Sequence, residues 1–175
     1  MNKQIFIDKG RLLTAEVPAM SCRAGEVTVD VIYSALSSGT EFGELTKSSL
    51  SLLARARQSP EKIGKAFEMV KSAGLKSTIN FVEDSQLSMQ ATGYSLVGYV
   101  RSVGEGIVDL AVGDLIACSG AQFAHHAYQV KVSRQLCAKI PLGLSSDLAA
   151  TVTLGAIAMQ GIRQADICIG ERVAV

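Results

Sequence analysis

The 175-residue chain has almost no excess of charge: seventeen Lys and Arg face sixteen Asp and Glu, for a net of +1. So balanced a surface gives no global reason to bind nucleic acid or an acidic membrane, and neither is expected as a partner. Long apolar runs are also missing, and none approaches the roughly 20 residues that span a bilayer. The opening MNKQIFIDKG has lysine but no apolar stretch after it of the kind found in a secretory leader. The expected compartment is therefore the cytoplasm. Cysteine is scarce, with Cys22, Cys118, Cys137 and Cys168 widely spaced and none in a Cys-x-x-Cys pair. In a reducing compartment such thiols read as small buried hydrophobes rather than a disulfide framework. Histidine is scarcer still, with only the neighbours His125 and His126. Adjacent strand residues point to opposite faces, so both could join Cys118 around one ion only through a bend. The plainer reading has one histidine in solvent and the other hydrogen-bonded. Internal repeats and low-complexity segments are absent.

What remains is the composition of a packed domain: 48% hydrophobic residues, 19% charged and sixteen glycines. That excludes disorder and points to many turns, hence a β-rich fold. Strand-like runs open the chain at KQIFI, LLTAEV and VTVDVIYS. In the third, period two sets Val27, Val29, Val31 and Tyr33 on one face and Thr28, Asp30, Ile32 and Ser34 on the other. A hydroxyl-rich turn, ALSSGTE, follows. From Lys47 to Lys76 there are seven Lys and Arg against two Asp and Glu, a local 7 − 2 = +5. Two helices are expected there, SLLARARQ and SPEKIGKAFEMVKSAG. In the second, Ser59 serves as cap, Pro60 stands in the first turn, and Ile63, Ala66, Phe67 and Val70 share a face. The basic insert reads as a solvated face over a buried stripe, or as a lid drawing anionic ligands. Strands resume at GYSLVGYVRSVG, VGDLIACSG, AYQVKV and LCAKI. Ser145 or Ser146 then starts an Ala-rich helix, and ERVAV has the form of a short buried strand.

The stretches GYSLVGYVRSVGEGIVDLAVGDLIAC, VTVDVIYSALSSGTE and AKIPLGLSSDLAATVTLGAIAMQGIRQADICIGERVAV resemble the medium-chain dehydrogenase/reductase family. With its helical insert LLARARQSPEKIGKAFEMVKSAGL the chain is most similar to a bacterial branch of that family whose members carry SSGTE. The resemblance implies a mainly β fold with some helix, a GroES-like partly open β-barrel over 1–145 with the insert at about 47–76. Residues 146–175 would be a linker helix and the first strand of a truncated Rossmann domain. Val175 would then fall where the Gly-rich phosphate turn begins, so NAD or NADP would bind beyond it. GEGIVD, from Gly104 to Asp109, imitates a dinucleotide fingerprint but sits between strands. Such a loop must open a helix to aim amides at a pyrophosphate, so here the glycines read as a tight turn.

Zinc-dependent members of this family place a cysteine after the first catalytic strand and a Gly-His-Glu further on. The matching positions here are Ser37, Tyr94 and Ser95, and a hydroxyl or phenol is a poor zinc ligand at neutral pH. No zinc is expected. Thr40, Glu41, Tyr94 and His126 are then the candidate catalytic groups, with Ser37 and Ser38 as substrate contacts. Hydroxyls would polarise a substrate oxygen, Glu41 would act as base or acceptor, and His126 would shuttle a proton. Each has a plainer reading: the serines and Thr40 satisfying the turn, Tyr94 as a core aromatic, Glu41 and His126 at the surface. The expected function is the catalytic part of a zinc-independent NAD(P)-dependent oxidoreductase acting on a small alcohol or carbonyl. An enone or quinone reductase and a non-catalytic GroES-like binding module are the alternatives. An exposed βα tail would also favour self-association into a homo-oligomer.

Overall fold

A computed structural model describes residues 1–49, 89–121, 123–168 and 170–174. The two helices expected in SLLARARQ and SPEKIGKAFEMVKSAG, and with them the lid reading, lie outside the described residues. Eight strands are present among the described residues: β1 (Asn2–Asp8), β2 (Arg11–Val17), β3 (Glu26–Ser34), β4 (Gln90–Ala91), β5 (Ser95–Val103), β6 (Leu115–Ser119), β7 (Gln129–Ser133) and β8 (Cys137–Lys139). The helices are α1 (Ser38–Ser49), α2 (Ser146–Ala149) and α3 (Val152–Gln164), and a 3₁₀ turn covers Arg134–Leu136. Each strand read from the sequence before the Ala-rich segment has its counterpart. The sheets are two, and they are not closed into a barrel: a three-stranded sheet β2-β1-β4 and a five-stranded sheet β7-β3-β5-β6-β8.

The chain divides into two compact units. The smaller comprises Lys3–Val17 and Leu36–Thr92, and the larger Met1–Asn2, Pro18–Ala35 and Gly93–Val175. In the smaller, β1 pairs antiparallel with β4 through Phe6–Ala91 and Ile7–Gln90. The β1–β2 turn uses Lys9 and Gly10, both at positive φ. Gly10 donates its N–H to Ser48 Oγ (2.8 Å), which ties the turn to the end of α1.

In the larger unit all pairings of the five-stranded sheet are antiparallel. Consecutive residues face opposite sides, so the central strands are buried on both. Val27, Val29, Leu96, Val100, Ile116, Val130 and Val132 form the main core with Leu110 and Ala124. Val97 and Ala117 look the other way, onto Ala149 and Ala150 at the end of α2. Burying such aliphatic side chains is worth about 1.5–3 kcal/mol each, which makes this sheet the stable frame of the unit.

Two expectations are corrected. The period-two face of β3 does not hold along its length, because a register shift between Val31 and Tyr33 leaves Ile32 without an opposite residue on β5. The bulge turns Tyr33 away from the valine face, and it is 52% exposed. ERVAV, expected as a strand, is not one over its described residues Glu171–Ala174. A strand exists by pairing, and no described edge meets it.

GEGIVD is indeed a turn. Gly104 lies so close to the Arg23 carbonyl that a Cβ would stand 1.8 Å from its oxygen. Gly104 N–H donates to Glu26 O and Gly25 N–H to Glu105 O, which closes the connection against the start of β3.

Candidate functional site

The residues singled out from the sequence fall into two groups, one in each unit, and each group is built by local backbone chemistry. In the smaller unit Ser37 closes the start of α1. Its Oγ accepts from Thr40 N–H (3.4 Å) and donates to Thr40 Oγ1 (3.2 Å). Glu41 reaches back, and its Oε1 accepts from Ser37 N–H (3.1 Å). The serine at the cap takes the Thr40 N–H and the carboxylate one turn in takes the serine's own N–H, with the anion at the positive end of the helix dipole. The expected polar turn is therefore a helix start. Ser38 and Thr40 are exposed, whereas Ser37 and Glu41 are half-buried.

In the larger unit Ser34, the last residue of β3, places its Oγ 2.7 Å from His126 Nδ1. His126 lies in the loop between β6 and β7 and is only 8% exposed, so it is not at the surface. Gly93 makes that possible. It has φ +97°, and a Cβ there would stand 2.6 Å from the His126 nitrogen. The histidine loop thus rests on the bare backbone of the residue just before Tyr94. Tyr94 is half-buried as a residue, but its Oη is buried and has no hydrogen-bond partner among the described residues. Such a hydroxyl costs about 1–3 kcal/mol relative to a satisfied one.

Ser95 is engaged differently. Its buried Oγ donates to Ala150 O (2.6 Å) and accepts from Thr153 N–H (3.2 Å). It therefore ends α2 and starts α3, which is why the single helix expected from Ser145 is split in two. Thr153 Oγ1 adds bonds to Tyr94 O (3.1 Å) and Ser119 Oγ (3.0 Å), locking the junction onto β5 and β6.

Cys118 does not join the histidines. Its neighbour is Cys137, with the sulfurs 3.8 Å apart, and among the described residues no three His, Cys, Asp or Glu side chains gather as metal ligands. The uniform picture of buried thiols also needs revision, since Cys168 is exposed and Cys22 half-buried. The described residues offer no pyrophosphate cradle either. The Gly104–Gly106 turn joins two strands, and none of the three helices opens on a GxGxxG loop.

No protein-family model matches the chain, and no curated protein does. Solved structures do. A quinone oxidoreductase from Coxiella burnetii matches with TM-score 0.67 and 18% identity over 97% of this chain and 47% of its own. The CurK enoyl reductase matches with 0.59 and 17% over 91% of this chain and 41% of its own. Galactitol-1-phosphate dehydrogenase from Escherichia coli gives 0.61 and 16% over 95% and 46%. The chain shares the fold of part of each of these proteins. At this identity the likeness is one of fold, and the chain spans less than half the length of these proteins.

Ser34 is the site residue that sequence reasoning missed. A polar residue ending an apolar strand was visible, but its partner His126 is 92 positions away, and no local pattern joins them.

Proposed function

We propose that this chain is the catalytic portion of an NAD(P)-dependent oxidoreductase that moves hydride between an alcohol and a carbonyl without zinc. The observation that carries this reading is the Tyr94 hydroxyl, buried and without a protein partner among the described residues, on the residue that follows the Gly93 against which the His126 backbone packs, in a fold shared with proteins named as an oxidoreductase, a reductase and a dehydrogenase. A donor kept out of water suits a substrate oxygen on which charge develops. The nicotinamide supplies the hydride when bound, and its phosphates would be held by residues other than those described.

The chain's own part is proton handling and orientation. His126, fixed through Nδ1 by Ser34, is the group to exchange a proton with the substrate oxygen, through Tyr94 or water. Thr40 and Glu41 are further candidate catalytic groups, and Ser37 and Ser38 candidate substrate contacts, all on the strength of the family resemblance. Their mutual bonds mean that a substrate would have to share or displace them. The domain reading follows the same resemblance: catalytic residues in 1–145, and the beginning of a nucleotide-binding domain in 146–175. Zinc independence rests on the donor set: Ser37, Tyr94 and Ser95 are poor ligands, and the Ser95 hydroxyl is already committed to the helix junction.

A second reading, reduction of an enone or quinone, is favoured by the names of two of the structural neighbours. There the same donor would meet an enolate oxygen. The test is NADH and NADPH turnover by the gene product carrying this chain, with ketone, enone and quinone acceptors and product analysis. Tyr94→Phe should lower turnover by about 10–100-fold, and a chelator should leave it unchanged. Wild-type turnover by the Phe variant would sink the assignment of Tyr94, and chelator sensitivity would sink zinc independence.

A further inference from the structure

We propose that Cys118 and Cys137 are a reversible redox modification site, a dithiol that a hydroperoxide converts to a cross-strand disulfide between β6 and β8. This goes beyond the hydride-transfer reading and does not depend on it.

The pairing register carries the argument. Cys118 and Cys137 stand directly opposite each other in the antiparallel β6–β8 pair. Ile140 N–H donates to Leu115 O two steps beyond Ala117–Ala138, which marks Leu115–Ile140 as a hydrogen-bonded position. Hydrogen-bonded and non-bonded pairs alternate along an antiparallel ladder, so Cys118–Cys137 is a non-bonded pair, the kind whose side chains lie closest. Cα atoms in such pairs sit about 4.5 Å apart, inside the range a disulfide accepts. The sulfurs are already 3.8 Å apart. Rotation about χ1 closes that gap to the roughly 2.05 Å of a bond without moving the strands.

The two thiols are not equivalent. Cys118 is fully buried, whereas Cys137 is 8% exposed. Arg134 donates from Nη1 to the Cys137 carbonyl (2.7 Å), so its guanidinium lies over this residue. The hydrogen bond from Cys118 holds the Cys137 thiol below its ordinary value, burial opposes this, and the Arg134 charge lowers it further. The same hydrogen bond, and then burial, push the Cys118 thiol up. Cys137, the less deeply buried of the two and the one under the Arg134 guanidinium, is the nucleophile, and Cys118 the resolving thiol. In the first step the Cys137 thiolate attacks hydrogen peroxide, the O–O bond breaks, and with one proton a sulfenic acid and water result. In the second, the Cys118 sulfur attacks the sulfenic sulfur, the S–O bond breaks, and a second water leaves with the thiol proton. Two thiols are oxidised by two electrons and one peroxide is reduced. Burial keeps bulkier thiols from intercepting the intermediate, and a thiol reductant reverses the change once the ladder opens.

The loop so closed contains all of β7 and His126. The disulfide would therefore clamp both ends of the segment that presents the histidine.

The test is brief treatment of the native 175-residue protein with hydrogen peroxide, followed by alkylation in denaturant and peptide mass spectrometry. A Cys118–Cys137 cross-linked peptide, lost on treatment with dithiothreitol, is expected. It should also form in a Cys22→Ser/Cys168→Ser variant, with a melting temperature raised by several degrees that falls back on reduction. In Cys118→Ala the Cys137 sulfenic acid should persist in the folded protein and be trapped by dimedone when denaturant is added together with it. Two results would each overturn the proposal: four alkylatable thiols after treatment of the folded protein, or oxidation confined to Cys168 and intermolecular dimers.

Discussion

At the residue scale, two side chains make distinguishable predictions. Tyr94 carries a buried hydroxyl with no partner among the described residues. Removing it as Tyr94→Phe should leave the melting temperature unchanged or raise it, because desolvation of an unsatisfied donor is relieved. A substantial loss of stability, beyond about 1 kcal/mol, would mean that the hydroxyl is bonded in the folded protein. Ser34 makes the opposite prediction. Its bond to His126 Nδ1 selects one arrangement of the ring proton, so Ser34→Ala should cost about 1 kcal/mol and alter the ¹⁵N shifts of the imidazole. Ser34→Thr keeps the hydroxyl and should restore those shifts. Unaltered imidazole shifts in Ser34→Ala would show that the serine does not position the ring. Residue chemistry was readable from the sequence where partners are local. Ser37 and Glu41 form their cap within one turn of chain, though the stretch was expected as a turn. The Ser34–His126 and Cys118–Cys137 pairs were hidden because the sheet, not the local chain, brings them together.

At the scale of elements, the α2–α3 junction depends on one atom. Ser95 Oγ serves Ala150 O and Thr153 N–H from a buried position. Ser95→Ala should cost about 2 kcal/mol and speed amide exchange at the start of α3 in particular, while slow exchange in β3 and β5 persists. Exchange unchanged at Thr153 would show that water replaces the hydroxyl. The β7–β8 connection carries a pH-dependent element. Asp109 accepts from Arg134 Nε at 2.9 Å, and that hydrogen bond holds the Asp109 carboxyl below its ordinary 3.8. A carboxyl depressed in the folded state stabilises above its unfolded value, and the benefit is lost as pH falls through the folded one. The acid limb of stability below about pH 4 should therefore be shallower in Asp109→Asn, as read by melting temperature against pH. Identical acid limbs would remove the pair from the balance. Periodicity located the strands but not the slip at Ile32, because a bulge depends on two strands and alternation is a property of one. The helix split escaped for a similar reason: its cause is a serine 55 positions from Ala150.

For the molecule as a whole, the turn chemistry and the family-like stretches made the mixed sheet-and-helix fold legible, whereas the strand orders β2-β1-β4 and β7-β3-β5-β6-β8 came from pairing alone. The far end is the exposed part. On α3, Leu154, Ile157, Met159 and Ile162 are 45%, 64%, 51% and 54% exposed. An apolar helix left in water favours association, so the 175-residue protein should self-associate with rising concentration. Ile157→Glu with Ile162→Lys should return it to a monodisperse monomer by light scattering. A wild-type protein that is already monomeric at high concentration would refute this.

The junction that Ser95 and Thr153 build has a mechanical consequence. Thr153 Oγ1 holds both the Tyr94 carbonyl and the Ser119 hydroxyl, so α3 is geared to the backbone on which the tyrosine sits. A load on α3 would arrive at the carbonyl of Tyr94 itself. The helix is then moored to the very residue whose phenol the proposed chemistry uses.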